Sequence, residues 1–277
     1  MTTRSTASWP DVLRSSIGHA LGHPLYRLFS CAPEWEFGLS DYEVTRHTHL
    51  HGILAGRRAI HLTDLHLDRY HPRHDRLIRI VGDLQPDWIV ITGDLLNVPE
   101  GVPHLFRLLG RLRAIAPLYM TLGNHDHYSG VPVAEYAEQA DRHKVTLLVN
   151  QCAVVSVAEG ELVIVGVDDP SLHRADLRCL PPRADHRFTL LLAHAPNILD
   201  QVEPHHAIDL ILCGHSHGGQ WRVPGVRTFW LPPGCHGRIA GWHRSGVHRL
   251  YVNRGLGWSF LPFRLNCRPE IAVIEWV

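Results

Sequence analysis

Residues 59–66 read AIHLTDLH, a short apolar run that passes straight into Asp64-Leu65-His66, and the same pattern returns along the chain. Residues 87–94 read DWIVITGD, so Asp87 to Thr92 leads into Gly93-Asp94. Leu118 to Leu122 leads into Gly123-Asn124-His125-Asp126, Phe188 to Ala193 into His194, and Ile208 to Cys213 into Gly214-His215-Ser216-His217. Short apolar runs bounded by polar and turn-forming residues predict strands. Between them, Leu77, Ile80, Val81 and Leu84, and then Leu105, Leu108, Leu109 and Leu112, recur at helical spacing. Strands alternating with helices predict an α/β fold with largely parallel pairing, in which ligands gather outside the carboxyl ends of the strands. All five polar motifs fall at such ends. Val154 to Val157 and Leu162 to Val167, joined through Glu159-Gly160, predict a hairpin that begins a second sheet.

The chain has 277 residues, 45% of them hydrophobic and 19% charged, enough for one large core with at most a small appendage. We expect an N-terminal helical or irregular extension over residues 1–57 and one domain over 58–277. Lys plus Arg equals Asp plus Glu at 27 each, which supplies no field for holding nucleic acid, so a nucleic-acid partner is not the default. The 23 histidines exceed what one site needs, so many belong to the surface. Six cysteines without CxxC spacing fit a reducing compartment. Nothing resembles a signal peptide or a membrane span of about 20 apolar residues. The expectation is a cytoplasmic protein, with peripheral contact to the inner face of the membrane left open. Leu13, Ile17, Leu21, Leu25 and Leu28 predict an amphipathic helix from Pro10 to Phe29, which either packs on the domain or docks on lipid.

The polar residues at the strand ends include two aspartates (Asp64, Asp94), an asparagine (Asn124) and four histidines (His66, His194, His215, His217). That donor set suffices for two cations, and a carboxylate and imidazole mixture without thiolate suits Mn²⁺, Fe or Zn²⁺. Two such ions about 3.5–4 Å apart can clamp a phosphoryl group during in-line attack. Singly, each residue has an ordinary reading: His194 as a satisfied polar group, Asp64 and Asp94 as helix caps, Asn124 as a turn residue. Those readings leave their joint placement at strand ends unexplained. Asp68, Arg69, His71, His74 and His127 lie just past the motifs and are candidates to reach substrate. Asp168-Asp169-Pro170 reads as a turn, and His205-His206 as surface.

The order DxH, GD, GNHD, a lone His after a strand and then GHxH, across residues 59 to 220, resembles the calcineurin-like metallophosphoesterase superfamily. The resemblance implies a four-layer α/β/β/α sandwich of two mixed sheets flanked by helices. It implies hydrolysis of a phosphodiester or pyrophosphate bond by a metal-bound hydroxide, with two divalent ions, Mn²⁺ first and Fe or Zn²⁺ as alternatives. By the same resemblance Asp64, His66 and His217 hold one metal, Asn124, His194 and His215 the other, and Asp94 bridges them. His125 would face the substrate, with Asp126 orienting its ring. Residues 214–220 (GHSHGGQ), Leu250 to Gly257 and Pro269-Glu-Ile271 resemble a bacterial subgroup that includes membrane-associated phosphodiesterases and UDP-2,3-diacylglucosamine pyrophosphohydrolases. That points to a phosphorylated small-molecule or lipid substrate. Many members of the subgroup begin with a membrane segment or a twin-arginine signal, and this sequence shows neither. The aromatic and arginine residues interleaved from Trp221 to Phe263 either border a lipid site or complete the core. Alternatives are a diesterase for a small soluble substrate such as a cyclic nucleotide, a nuclease, and a non-catalytic scaffold.

Overall fold

The computed structural model describes residues 42–277 apart from 224, 226, 227, 229, 230 and 260–263. The apolar runs quoted above become strands: β1 Glu43–His49, β2 Arg58–Leu62, β3 Trp88–Thr92, β4 Leu118–Thr121 and β5 Thr146–Leu147. They are followed by β6 Gln151–Val157, β7 Gly160–Gly166, β8 Arg187–Leu192, β9 Leu210–Cys213, β10 Gly241–Ser245, β11 His248–Val252 and β12 Glu270–Trp276. The helices are α1 Pro72–Asp83, α2 Val102–Arg113, α3 Asn124–Tyr128 and α4 Val133–Arg142. The expected hairpin is β6–β7, although the two connecting residues are Ala158 and Glu159, and Gly160 already belongs to β7.

Two six-stranded sheets result, ordered β1-β12-β2-β3-β4-β5 and β10-β11-β9-β8-β7-β6. Strands β2 to β5 run parallel, β12 runs antiparallel to β2, and β6 and β10 run antiparallel to their neighbours, so both sheets are mixed. Strand β3 (WIVIT) is buried along its whole length, as expected where both faces of a sheet are covered. Its side chains alternate accordingly. Trp88 and Val90 meet Phe188, Leu190, Leu210 and Trp276 between the sheets, while Ile89 and Ile91 meet Leu77, Leu105 and Leu109 beneath the helices.

The α-helices α1, α2 and α4 all bury against the outer face of the first sheet. The outer face of the second is covered by Ile198 and Leu199 of a 3-10 segment and by Leu177 and Leu180, so among the described residues the fourth layer is thin. The four-layer expectation therefore holds with helices of unequal weight. Strand β1 lies within the stretch assigned to the extension, yet it pairs with β12 along seven residues and belongs to the first sheet. Its partner is more than 200 residues away in sequence, a pairing that local pattern does not reveal. The predicted helix from Pro10 to Phe29 lies outside the described residues. No helix among the described residues is long and apolar enough to cross a membrane.

One buried carboxylate ties the sheets together. Glu270 opens β12 and accepts hydrogen bonds from Thr45 Oγ1 of β1, Tyr251 OH of β11 and both N and Nε of Arg254. Burial alone would raise its carboxyl, but Arg254 more than offsets this and holds it below the ordinary value. Removing one member of a buried charged pair strands the other. Glu270→Ala should therefore cost about 3 kcal/mol in urea unfolding, whereas Glu275→Ala, in a partly exposed pair with Arg46 and Arg58, should cost under about 1 kcal/mol. Equal costs would show that the Glu270 network is not a tie.

A candidate metal centre

The register of β2 on β3 sets Leu62 beside Ile91, so the residues that follow each strand come side by side. Asp64 N donates to Gly93 O at 3.0 Å and His66 N to Asp94 O at 3.0 Å, extending the pairing past the sheet edge. The second sheet adds its own strand ends, with Gly214 N donating to His194 O at 2.9 Å. A clamp joins the two sheets: the His215 amide donates to both carboxylate oxygens of Asp64 at 3.1 Å. The 253–257 turn closes the floor, with Leu256 N on Thr63 O and Gly257 N on Asp64 O.

This crowding explains the glycine of two motifs. A Cβ on Gly214 would overlap Thr63 Oγ1 and the Asp64 carboxylate, and one on Gly123 would overlap Asp94 Oδ1 and lie 2.7 Å from His194 Cγ. It also explains backbone strain. Asp64, His66, Asp94, His215 and His217 all hold φ between 42° and 70°, a region that non-glycine residues rarely adopt. Such residues cluster where the surroundings fix a functional geometry.

The side chains form two groups. Asp64, His66, Asp94 and His217 present ligand atoms within 4.8 Å of one another, and so do Asp94, His194 and His215. Asp94 belongs to both, its Oδ2 lying 3.1 Å from His194 Nε2 and 3.5 Å from His66 Nε2. Every one of these residues is buried. Asn124 is buried beside them at the start of α3, and its Oδ1 has no hydrogen-bond partner among the described residues.

Hydrogen bonds fix which imidazole nitrogens are bare. His194 Nδ1 donates to the Thr92 carbonyl at 2.7 Å and His215 Nε2 to the Pro233 carbonyl at 2.6 Å. In the neutral rings His194 Nε2 and His215 Nδ1 are then both lone pairs, and they face each other at 3.0 Å. His66 Nε2 and His217 Nε2 approach to 3.1 Å in the other group. Facing lone pairs, an orphaned amide oxygen and buried carboxylates are a donor set that a divalent cation satisfies.

The electrostatics show a buried negative charge that, in the protein alone, His194 balances. Burial would raise the Asp94 carboxyl, but His194, His125 and His66 outweigh it and hold it well below its ordinary value. Burial alone would lower His194, yet the Asp94 charge pushes it up to about 10. Burial lowers His215 and His217, with the neighbouring His194 and His66 adding to the effect.

The remaining expected residues separate into distinct roles. The His125 ring stands outside both groups, half-buried, edge-on to His66 at 4.8 Å and to Tyr128 at 5.9 Å, while its amide donates to Asp94 Oδ1. Asp126, expected to orient that ring, has a buried carboxylate that accepts from Leu95 N, Leu96 N, Gly123 N and Tyr136 OH. It braces the GD turn against the GNHD turn, and burial with the nearby Asp94 charge pushes it up to about 7. Asp68 accepts from Asn97 and Val98, and His74 caps α1 through the His71 amide. His127 pairs with Asp168 at 2.6 Å, while Asp169 caps the turn at Pro170–Leu172. His205 is exposed beside Glu203. Sequence reasoning missed Asn97, which holds His66 Nδ1 at 2.7 Å, while Arg264, read from the sequence only as part of the aromatic and arginine run, is buried and donates to the Gly257 and Arg254 carbonyls. Of the aromatic run, Phe229, Trp230, Phe260 and Phe263 lie outside the described residues, whereas Trp242 packs on Tyr251 beneath Arg249.

A ligand that binds only the folded protein at about 100 times its Kd adds about 2.7 kcal/mol of stability. Mn²⁺ at that excess should raise the melting temperature, and EDTA should reverse the rise. Gly214→Ala, whose Cβ displaces the Asp64 carboxylate, should lose most of the shift. An undiminished shift in the variant would place the cation elsewhere.

Comparison with known proteins agrees with the site. A family model described as calcineurin-like phosphoesterase matches residues 57–219. The chain is 32% identical over 244 residues to the uncharacterized metallophosphoesterase YkuE of Bacillus subtilis (strain 168), covering 83% of this chain and 84% of that one. It is 31% identical over 259 residues to the phosphodiesterase YaeI of Escherichia coli (strain K12), covering 89% and 90%. Among solved structures, TT1561 of Thermus thermophilus superposes with a TM-score of 0.46 at 12% identity, over 72% of this chain and 89% of that one. The chain belongs to the calcineurin-like phosphoesterase family and is a metal-dependent phosphoesterase.

Proposed function

We propose that the chain hydrolyses a phosphodiester or pyrophosphate bond with two divalent cations, Mn²⁺ first, Fe or Zn²⁺ as alternatives. The observation that carries this reading is the position of Asp94, whose one carboxylate lies within reach of histidines from both groups. When bound, the cations supply Lewis-acid polarisation of the phosphoryl oxygens and an activated water. Asp64, His66 and His217 would hold one, Asn124, His194 and His215 the other, and Asp94 both. His125, half-buried and edge-on to His66, would donate a proton or hydrogen bond from its ring to the leaving oxygen. The phosphodiester class is supported by the similarity to the Escherichia coli phosphodiesterase.

A lipid-bearing substrate, such as UDP-2,3-diacylglucosamine met at a membrane surface, is a second reading. It draws on the β10–β11 hairpin, where Trp242 is 36% and Val247 62% exposed beside Arg244 and Arg249. Aromatic and basic residues of that kind suit an anionic interface. A turnover panel with Mn²⁺, holding UDP-2,3-diacylglucosamine, its deacylated form, cyclic nucleotides and bis-p-nitrophenyl phosphate, separates the two. A gain in kcat/KM from acyl chains supports the lipid reading, and its absence leaves the small soluble diester.

Two variants test the roles. Asp94→Asn should lose both metal content and turnover, because a neutral amide cannot replace a charge shared by two cations. Retention of two ions per chain at a near-normal rate would contradict the bridge. His125→Ala should keep its metals and lose about 10²–10⁴-fold in rate, less for nitrophenyl than for alkyl leaving groups. Equal losses for both would remove the leaving-group role.

A further inference from the structure

Each metal-facing histidine needs its second nitrogen held so that the first presents a lone pair. For His194 and His215 the holders are the carbonyls of Thr92 and Pro233, which no side-chain substitution removes. The holder of His66 is a side chain. Its Nδ1 lies 2.7 Å from Asn97 Oδ1, and Asn97 is buried three residues beyond Asp94.

Asn97 is itself held. Asp68 Oδ1 accepts from Asn97 N at 2.8 Å and from Val98 N at 3.3 Å, while Asp68 Oδ2 accepts from Asn97 Nδ2 at 3.2 Å. A carboxylate at neutral pH only accepts, so the amide nitrogen of Asn97 must face Asp68 and its oxygen must face His66. His66 Nδ1 is therefore the donor, and Nε2 carries the lone pair directed at Asp94 Oδ2 and His217 Nε2. The pair also joins the loop after β2, which bears Asp64 and His66, to the loop after β3, which bears Asp94.

We propose that Asp68 and Asn97 form a positioning pair that sets the affinity of one metal position, that of Asp64, His66 and His217, independently of the other. The inference rests on the two-metal reading above. Neither residue touches the cation or the substrate; both act through the tautomer and orientation of His66. The donor and acceptor pattern can be inverted without loss. In the swap Asp68→Asn with Asn97→Asp, the new amide at 68 donates to the new carboxylate at 97, which still accepts from His66 Nδ1.

The test is a Co²⁺ titration of metal-free full-length protein followed by visible absorption, with the melting temperature of each metal-free protein measured alongside. Wild type should bind two ions. Asn97→Leu, close to isosteric, should weaken one of the two by about 10–100-fold and leave the other and the metal-free melting temperature unchanged. The double swap should restore the weakened site. Equal weakening of both sites, a fall in metal-free melting temperature that accounts for the loss, or no rescue by the swap would overturn the proposal. Two ions on both proteins with unchanged affinities would overturn this inference alone. Fewer than two on wild type would overturn the two-metal reading and this inference with it.

Discussion

The structure depends on keeping one ionised carboxylate, that of Asp94, buried between two sets of imidazoles. Desolvation disfavours its charge, and the surrounding histidines outweigh that cost. Everything that brings those histidines close comes from the ends of two sheets that meet at their carboxyl termini. The first sheet contributes Asp64, His66, Asp94 and Asn124, the second His194, His215 and His217. Neither sheet holds the donor set alone, so packing of the sheets and assembly of the site are one event. Glu270, shared between β1, β11 and the turn at Arg254, secures that packing from the other side of the Asp64 loop.

The local cost of the assembly is visible in the backbone. Five residues of the candidate site sit at positive φ, a conformation costing of order 1–3 kcal/mol each for residues other than glycine. The glycines beside them supply the close approach, and Asp126 supplies four hydrogen bonds where the turns cross. Close packing and bracing hydrogen bonds of this kind are what fixed donor geometry requires.

Much of this is legible in the sequence for a simple reason. Strands buried on both faces read as unbroken apolar runs, so Trp88 to Thr92 announces itself, and the polar residues that interrupt each run must lie at its end. The clustering of Asp64, His66, Asp94, His194, His215 and His217 and the second sheet follow from that. What is not legible depends on contacts between distant turns. Asp126 reads as a partner for the adjacent His125, and nothing in the local pattern shows that its donors include residues about 30 positions earlier. Asp68 reads as a candidate to touch substrate until Asn97, 29 residues on, is seen to occupy it. Strand β1 reads as part of an extension because its EVTRHTH sequence is polar on one face and its partner, β12, is the last strand of the chain.

The central claim is that Asp94 joins two cations, and anomalous diffraction from crystals grown with Mn²⁺ tests it most directly. The account predicts two anomalous peaks about 3.5–4 Å apart, with the Asp94 carboxylate between them, Asp64, His66 and His217 around one, and Asn124, His194 and His215 around the other. A single peak, or a pair of peaks that Asp94 does not touch, would contradict it.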